Sequence, residues 1–177
     1  MTKWLSHRMV ERGIIKEEEQ ELYQFGIRNG MILLLNVVTA LVIGLLTEQL
    51  AVVAVFTLSF MVLRSYTGGY HSDSRVFCYL GSNLVLLVPV YTQAVFYKTS
   101  LAWLLAVLLV SAGIIFLLSP MHSKNRKLDK EEQKHFGRKA RLIAVLELAV
   151  LGILWHAGQI PYAYAVYTGI CITALFM

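Results

Sequence analysis

Six apolar runs dominate the chain and limit the folds open to it. They cover approximately residues 27–47, 49–63, 76–97, 101–119, 142–157 and 160–177. About 20 apolar residues in a helix are needed to cross about 30 Å of hydrocarbon. With 57% hydrophobic and 15% charged residues, the chain also differs from soluble domains, of which about 25% of residues are charged. We therefore predict an all-α, polytopic integral membrane protein, with about six transmembrane helices in a single membrane domain over residues 1–177.

The runs 49–63 and 142–157 are short for membrane-spanning helices. Tilting, local thinning of the bilayer or a re-entrant path would each accommodate them. Four spans remain the alternative number.

Basic residues are distributed unevenly among the segments that join these runs. With the N-terminus inside, every lysine and arginine except Lys98 falls in a cytoplasmic segment or, in the case of Arg28, at the cytoplasmic end of a run, as the positive-inside rule requires. This asymmetry predicts a multi-pass plasma-membrane protein with both termini in the cytoplasm. Residues 1–26 would then form a cytoplasmic amphipathic segment, with surface helices at 4–12 and 14–25 separated by Gly13.

A second soluble segment, residues 120–141, is rich in lysine and arginine and begins at Pro120. We expect a basic cytoplasmic loop that contacts anionic lipids and fixes the topology. The alternative is a docking surface for an acidic segment of a partner.

The predicted cytoplasmic loop at residues 64–75 and the start of the third run contain RSYTGGYHSDSRVFC. A cysteine nucleophile needs its thiolate, and a nearby imidazole lowers the thiol pKa from its usual value of about 8.5. His71 and Cys78 are seven residues apart, or about 10.5 Å along a straight helix, so they meet only if the chain bends. The residues Ser-Asp-Ser at 72–74 favour such a bend and place Cys78 in the first turns of the third span.

Neighbouring residues would assist this pair. The positive end of a helix favours a thiolate at Cys78, and Arg75 adds to it. Gly68 and Gly69 permit a sharp turn or a close approach to a peptide, and their N–H groups could form an oxyanion hole. Asp73 could orient His71 as the third member of a triad, or cap the following helix.

Two other interpretations of the same residues remain open. Cys78 could be a packing residue without catalytic function. A metal site could use His71, Asp73, Cys78 and His122, but the tight ligand spacing of known metal motifs is missing. We predict no metal and no other cofactor.

Two polar residues in the apolar runs are further candidates. Glu147 either pairs with Arg141 near the membrane interface or lines a peptide cavity, because intramembrane carboxyl groups are usually functional or paired. Asn83, beyond Cys78, could bond to another helix or orient the imidazole.

The string R-S-Y-T-G-G-Y-H, followed seven residues later by Cys, resembles the accessory gene regulator B (AgrB) family. These are bacterial membrane cysteine endopeptidases that process quorum-sensing prepeptides. The charged N-terminal segment, the run S-P-M-H-S-K-N-R-K-L at 119–128 and the number of apolar runs are also similar, although a later proline common in the family is missing. The resemblance implies that Cys78 is the nucleophile and His71 its base. Arg64 and Gly69 match positions that the family motif holds for structure or peptide positioning.

The implied reaction removes the C-terminal part of a short amphipathic prepeptide through an acyl-enzyme thioester. A substrate thiol or hydroxyl would then close a thiolactone or lactone, whereas water would release a linear peptide. The expected partners are this prepeptide, anionic lipids of the bilayer and a second copy of the chain in a homodimer, with no nucleic acid. A peptide transporter without proteolytic chemistry is the alternative function.

Overall fold

The computed structural model of the chain describes residues 2–68, 75–121 and 129–177. Within these ranges it contains helices and one isolated backbone bridge, without strands. The α-helices are α1 (Thr2–Glu11), α2 (Gln20–Leu46), α3 (Leu50–Thr67), α4 (Arg75–Tyr91), α5 (Gln93–Lys98), α6 (Leu101–Leu118), α7 (Lys130–His156) and α8 (Ile160–Leu175). The predicted all-α fold is confirmed.

Several of the described helices are suited to a membrane. Three are long and apolar enough to cross one, namely Glu17–Leu46, Leu50–Thr67 and Leu101–Leu118. Shorter apolar helices cover Tyr79–Tyr91 and Ile160–Leu175. The chain is therefore an all-α membrane protein, whereas the number of spans and their orientation stay predictions.

Two of the apolar runs have other boundaries than predicted. The second run belongs to α3, which is 18 residues long and continues to Thr67, so the predicted loop at 64–75 is shorter than expected. The third run is divided, since α4 ends at Tyr91 and α5 begins at Gln93. Pro89, which lies just before this break, lacks the N–H group that would continue the helical hydrogen bonds.

The fifth run is only the second half of the 27-residue helix α7. At its start the Glu132 N–H donates to Asp129 Oδ1 over 2.7 Å, and the Asp129 N–H donates to Glu132 Oε2 over 3.4 Å. This reciprocal pair is a capping box, which fixes the beginning of a helix. The prediction of a loop over the whole of 120–141 was therefore wrong, because its second half consists of good helix formers such as lysine, arginine and glutamine.

The chain forms two compact units, residues 1–39 and 40–177. The first contains α1 and most of α2. Gly13 breaks the chain after α1 with a φ of 66°, as predicted. The expected second surface helix at 14–25 is not separate, because a 3-10 turn at Glu17–Glu19 leads directly into α2.

Helix α8 lies in the interior of the second unit. More than half of its 16 residues are buried, and it packs against α3, α6 and α7. Its closest approach is to α3, because a Cβ atom built on Gly169 would overlap Ser59 Oγ. Small residues at such positions allow helix backbones in a membrane to approach each other closely.

Candidate active site

The C-terminal end of α3 carries the first part of the predicted catalytic motif. Gly68 follows the last residue of α3 with φ 69° and ψ −156°, a backbone conformation that is essentially limited to glycine. A Cβ atom at this position would also lie 2.5 Å from the carbonyl oxygen of Met121. Position 68 therefore requires glycine for two reasons, its backbone conformation and the close approach of Met121.

Arg64 joins the ends of two helices. Its Nη1 donates to the carbonyl oxygen of Gly68 over 2.7 Å and to that of Phe176, at the end of α8, over 2.9 Å. A guanidinium group has five N–H donors in a fixed plane and so can hold several carbonyl groups at once. Of the two predicted roles of Arg64, this geometry favours the structural one.

The segment that follows α6 is attached to the same place. The Met121 N–H donates to the carbonyl oxygen of Thr67 over 2.8 Å, and Met121 forms a parallel backbone bridge with Gly68. Thr67 and Ser119 are buried. The starts of the two predicted cytoplasmic loops are therefore held side by side.

Helix α7 supports this arrangement from behind. A Cβ atom on Gly137 would lie 3.1 Å from Pro120 Cδ, so α7 passes close to Pro120. The ring of Tyr66 lies 6.2 Å from that of Phe136, and Lys139 Nζ lies 5.6 Å from the Tyr66 ring centroid, within the range of a cation–π interaction. The basic first half of α7 is thus adjacent to the end of α3.

Cys78 lies in the first turn of α4, which begins at Arg75. This agrees with the sequence prediction and places its backbone at the positive end of the helix dipole. The structure describes only the backbone of Arg75 and Cys78, and Gly69, His71 and Asp73 lie outside the described residues. The pairing of Cys78 with His71 stays a prediction.

Asn83 contributes a buried acceptor farther along α4. No described residue donates a hydrogen bond to its Oδ1 atom. Most buried polar side-chain atoms have a partner, either in the protein or in ordered water. The predicted role of Asn83 in orienting the imidazole stays a prediction.

Glu147 bonds to a different partner from the one expected. Ser59 Oγ on α3 donates to its Oε2 over 2.8 Å. Arg141, the predicted partner, instead donates from Nε to the carbonyl oxygen of Phe116 over 3.1 Å. The prediction of an Arg141 pair was therefore wrong. The arginine bonds to a carbonyl group in the last turn of α6, whereas the carboxyl group joins α7 to α3.

This interhelical bond leads to a first prediction. Ser59→Ala should lower the free energy of unfolding by about 1 kcal/mol, because hydrogen bonds between membrane helices contribute about 0.6 and at most about 1.7 kcal/mol. Glu147→Gln keeps an acceptor for Ser59 and should have a smaller effect. Thermal unfolding in detergent would measure both, with Ser65→Ala as the control, because among the described residues Ser65 bonds within its own helix, to Met61. Equal stability of the Ser59→Ala and Ser65→Ala proteins would contradict the prediction.

Three residues of this region, Met121, Gly137 and Phe176, are not among the predicted site residues. Met121 and Phe176 act through backbone atoms, which every residue possesses, and Gly137 acts by lacking a side chain. The run S-P-M at 119–121 is the one local signal, because it marks the entrance to the basic loop.

Potential metal ligands are not grouped in the part of the chain that the structure describes. No set of three or more His, Cys, Asp and Glu residues suited to a metal ion is found there. The alternative metal site, with His71, Asp73, Cys78 and His122, involves side chains outside that part.

The sequence of this chain is similar to those of known bacterial proteins. The profile of the family described as accessory gene regulator B matches residues 1–177. An AgrB-like protein of Clostridium perfringens strain SM101 is 23% identical over 148 residues, which cover 80% of this chain and 69% of the relative. AgrB-like protein 2 of Clostridium perfringens strain 13 is 24% identical, with 71% of this chain and 61% of the relative covered. The accessory gene regulator protein B of Staphylococcus intermedius is 27% identical, with 72% and 70% covered. No solved structure matches the chain significantly.

Proposed function

Since this chain belongs to the accessory gene regulator B family of quorum-sensing systems, we propose that it is a membrane-embedded cysteine endopeptidase that cleaves a signalling prepeptide. The observation that carries this proposal is the motif from Arg64 to Cys78 in a chain that matches the family over its whole length. The motif joins the end of α3 to the first turn of α4, where a helix dipole assists a thiolate.

In the proposed reaction, His71 takes the thiol proton and the Cys78 sulfur attacks the scissile carbonyl carbon of the prepeptide. The C–N bond breaks as His71 returns the proton to the leaving amine. The N-terminal fragment remains bound to Cys78 as a thioester. A thiol within this fragment can exchange with Cys78 at little change in free energy, which closes a thiolactone ring and releases the enzyme. A hydroxyl group would give a lactone, and water a linear peptide.

The surroundings of the described site suit a peptide with an acidic C-terminal segment. Lys134 and Arg138 are exposed on the first half of α7, and Lys139 lies over Tyr66 at the end of α3. With both termini in the cytoplasm, these cations and the motif would face the cell interior. An amphipathic prepeptide lying on the membrane surface could then reach both.

The acyl-enzyme is the species that tests this function. Purified protein mixed with the prepeptide and quenched in acid should gain the mass of the N-terminal fragment on the peptide that contains Cys78. Cys171→Ala should still form the adduct, because Cys171 lies in α8, away from the motif in sequence. Hydroxylamine should remove the adduct, as expected for a thioester. An intact prepeptide without any adduct, together with its transport into vesicles, would indicate the alternative peptide transporter.

A further inference from the structure

We propose that the segment Ser119–Met121 is a positioning element of the active site. Its backbone holds Thr67 and Gly68, from which the chain continues to His71. This inference rests on the proposed function, because it assigns the segment a role in bringing the catalytic loop to Cys78. It also explains why the entrance to the basic loop lies beside the motif.

The bridge between the two loop entrances is made by backbone atoms on both sides. The Met121 N–H donates to Thr67 O over 2.8 Å, and Gly68 pairs with Met121 in parallel. Arg64 Nη1 donates to the carbonyl oxygen of Gly68, the next acceptor along the chain, over 2.7 Å. The carbonyl groups of the last residue of α3 and of the residue that follows it are therefore each held by a hydrogen bond.

The segment Ser119–Met121 is itself held firmly, which a positioning element requires. Ser119 is buried, and its N–H donates to Ile115 O at the end of α6 over 3.1 Å. Gly137 of α7 leaves so little space that a Cβ atom there would lie 3.3 Å from Ser119 O. Two helices thus determine where Met121 meets Gly68.

Catalysis is sensitive to such positioning. A shift of about 1 Å in a reacting group can lower the rate about 100-fold without weakening substrate binding to the same degree. A displaced Gly68 would move the start of the loop that bears His71 relative to α4, which bears Cys78. We therefore expect damage to this bridge to alter the chemistry at Cys78 more than the binding of the prepeptide.

The experiment uses the full-length chain with Cys171→Ala, which leaves Cys78 as the one remaining thiol of the two in the sequence. Met121→Pro removes the N–H that bonds to Thr67 and changes no residue of the motif, whereas the conservative variant Met121→Ala keeps it. Two quantities are measured: the steady-state constants for prepeptide cleavage, and the rate of Cys78 alkylation by iodoacetamide between pH 5 and 10.

Met121→Pro should lower kcat at least about tenfold while KM changes less than about threefold. The pH midpoint of Cys78 alkylation should rise toward that of a free thiol, about 8.5. Met121→Ala keeps the N–H group and should therefore retain the kcat, the KM and the alkylation midpoint of the parent. Equal behaviour of the proline and alanine variants would overturn the inference.

A second pair of variants tests the bridge from its other side. Gly68→Ala introduces both a positive-φ strain and a contact with Met121 O, whereas Gly158→Ala introduces the strain alone, since Gly158 has a φ of 72° and no neighbour within 4 Å. Only Gly68→Ala should reduce kcat and shift the alkylation profile. If Met121→Pro and Gly68→Ala abolish folding while their controls do not, the bridge serves folding alone and the inference is overturned.

Failure of the proposed function would give a different pattern. In that case Cys78 of the parent would already be alkylated like a free thiol, and His71→Ala would change nothing. A third outcome is that the pH midpoint of Cys78 alkylation is low in the parent and rises in His71→Ala but not in Met121→Pro. In that case the pairing of Cys78 with His71 is supported and the positioning role of Ser119–Met121 is refuted.

Discussion

Replacement of Cys78 by alanine is expected to lower kcat/KM for cleavage of the prepeptide by a factor on the order of 10⁴ or more, because the chemical step loses its nucleophile. Cys78→Ser should be similarly inactive, since a hydroxyl group is far less acidic than a thiol and the site is proposed to act through a thiolate. The measurement is the rate at which the C-terminal fragment appears, with purified protein in lipid vesicles.

Cys171→Ala is the matched control for this loss. Cys171 is the other cysteine of the chain and lies partly buried in α8, outside the motif, so its replacement should leave the cleavage rate close to that of the parent. Because the alternative transporter needs neither thiol, it should tolerate all three substitutions. Undiminished cleavage by the folded Cys78→Ala protein would remove Cys78 from the mechanism and with it the proposed function.

The membrane class and most helices follow from the apolar runs, but the position of α8 inside the second unit does not. In a bilayer an apolar side chain can face either lipid or protein, so the apolar residues alone do not show which helix is central. Leu109 and Leu117 of α6 are largely exposed, whereas Ala165 and Ile170 of α8 are buried. Small residues are the better indicator, because they permit close packing of membrane helices.

The site was predictable where it depends on local sequence. The start of α4 at Arg75 and the place of Cys78 in its first turn follow from preceding residues that favour helix caps. The bonds from Arg64 to Gly68 and Phe176 were not predictable, because one acceptor lies 112 residues away and is a backbone carbonyl. The Ser59–Glu147 bond joins residues 88 apart, so the sequence could not distinguish it from a pair between Glu147 and the nearer Arg141.

Gly169→Ala is expected to lower the free energy of unfolding by about 1–3 kcal/mol, the usual effect of overpacking. The added Cβ would overlap Ser59 Oγ and lie 3.0 Å from Ser59 Cβ and 3.4 Å from the Phe60 nitrogen. Since Ser59 lies on α3, the helix that ends in the motif, relief of this overlap requires either that the Ser59 hydroxyl rotate away and lose its bond to Glu147 or that α3 and α8 separate. Thermal unfolding in detergent would detect the change, and a larger residue such as leucine should prevent folding.

Two further variants decide whether the overlap with Ser59 is the cause. Gly113→Ala places the same methyl group where no atom of a neighbouring element lies within 4 Å. It should be neutral or slightly stabilising, because alanine in a helix is more favourable than glycine by about 1 kcal/mol. Ser59→Gly removes the two overlapped side-chain atoms, so the double variant Ser59→Gly/Gly169→Ala should be more stable than the sum of the single effects allows. If the losses in this cycle are additive, Gly169 is needed for a reason other than its contact with Ser59. The packing of α3 on α8 would then not depend on this contact.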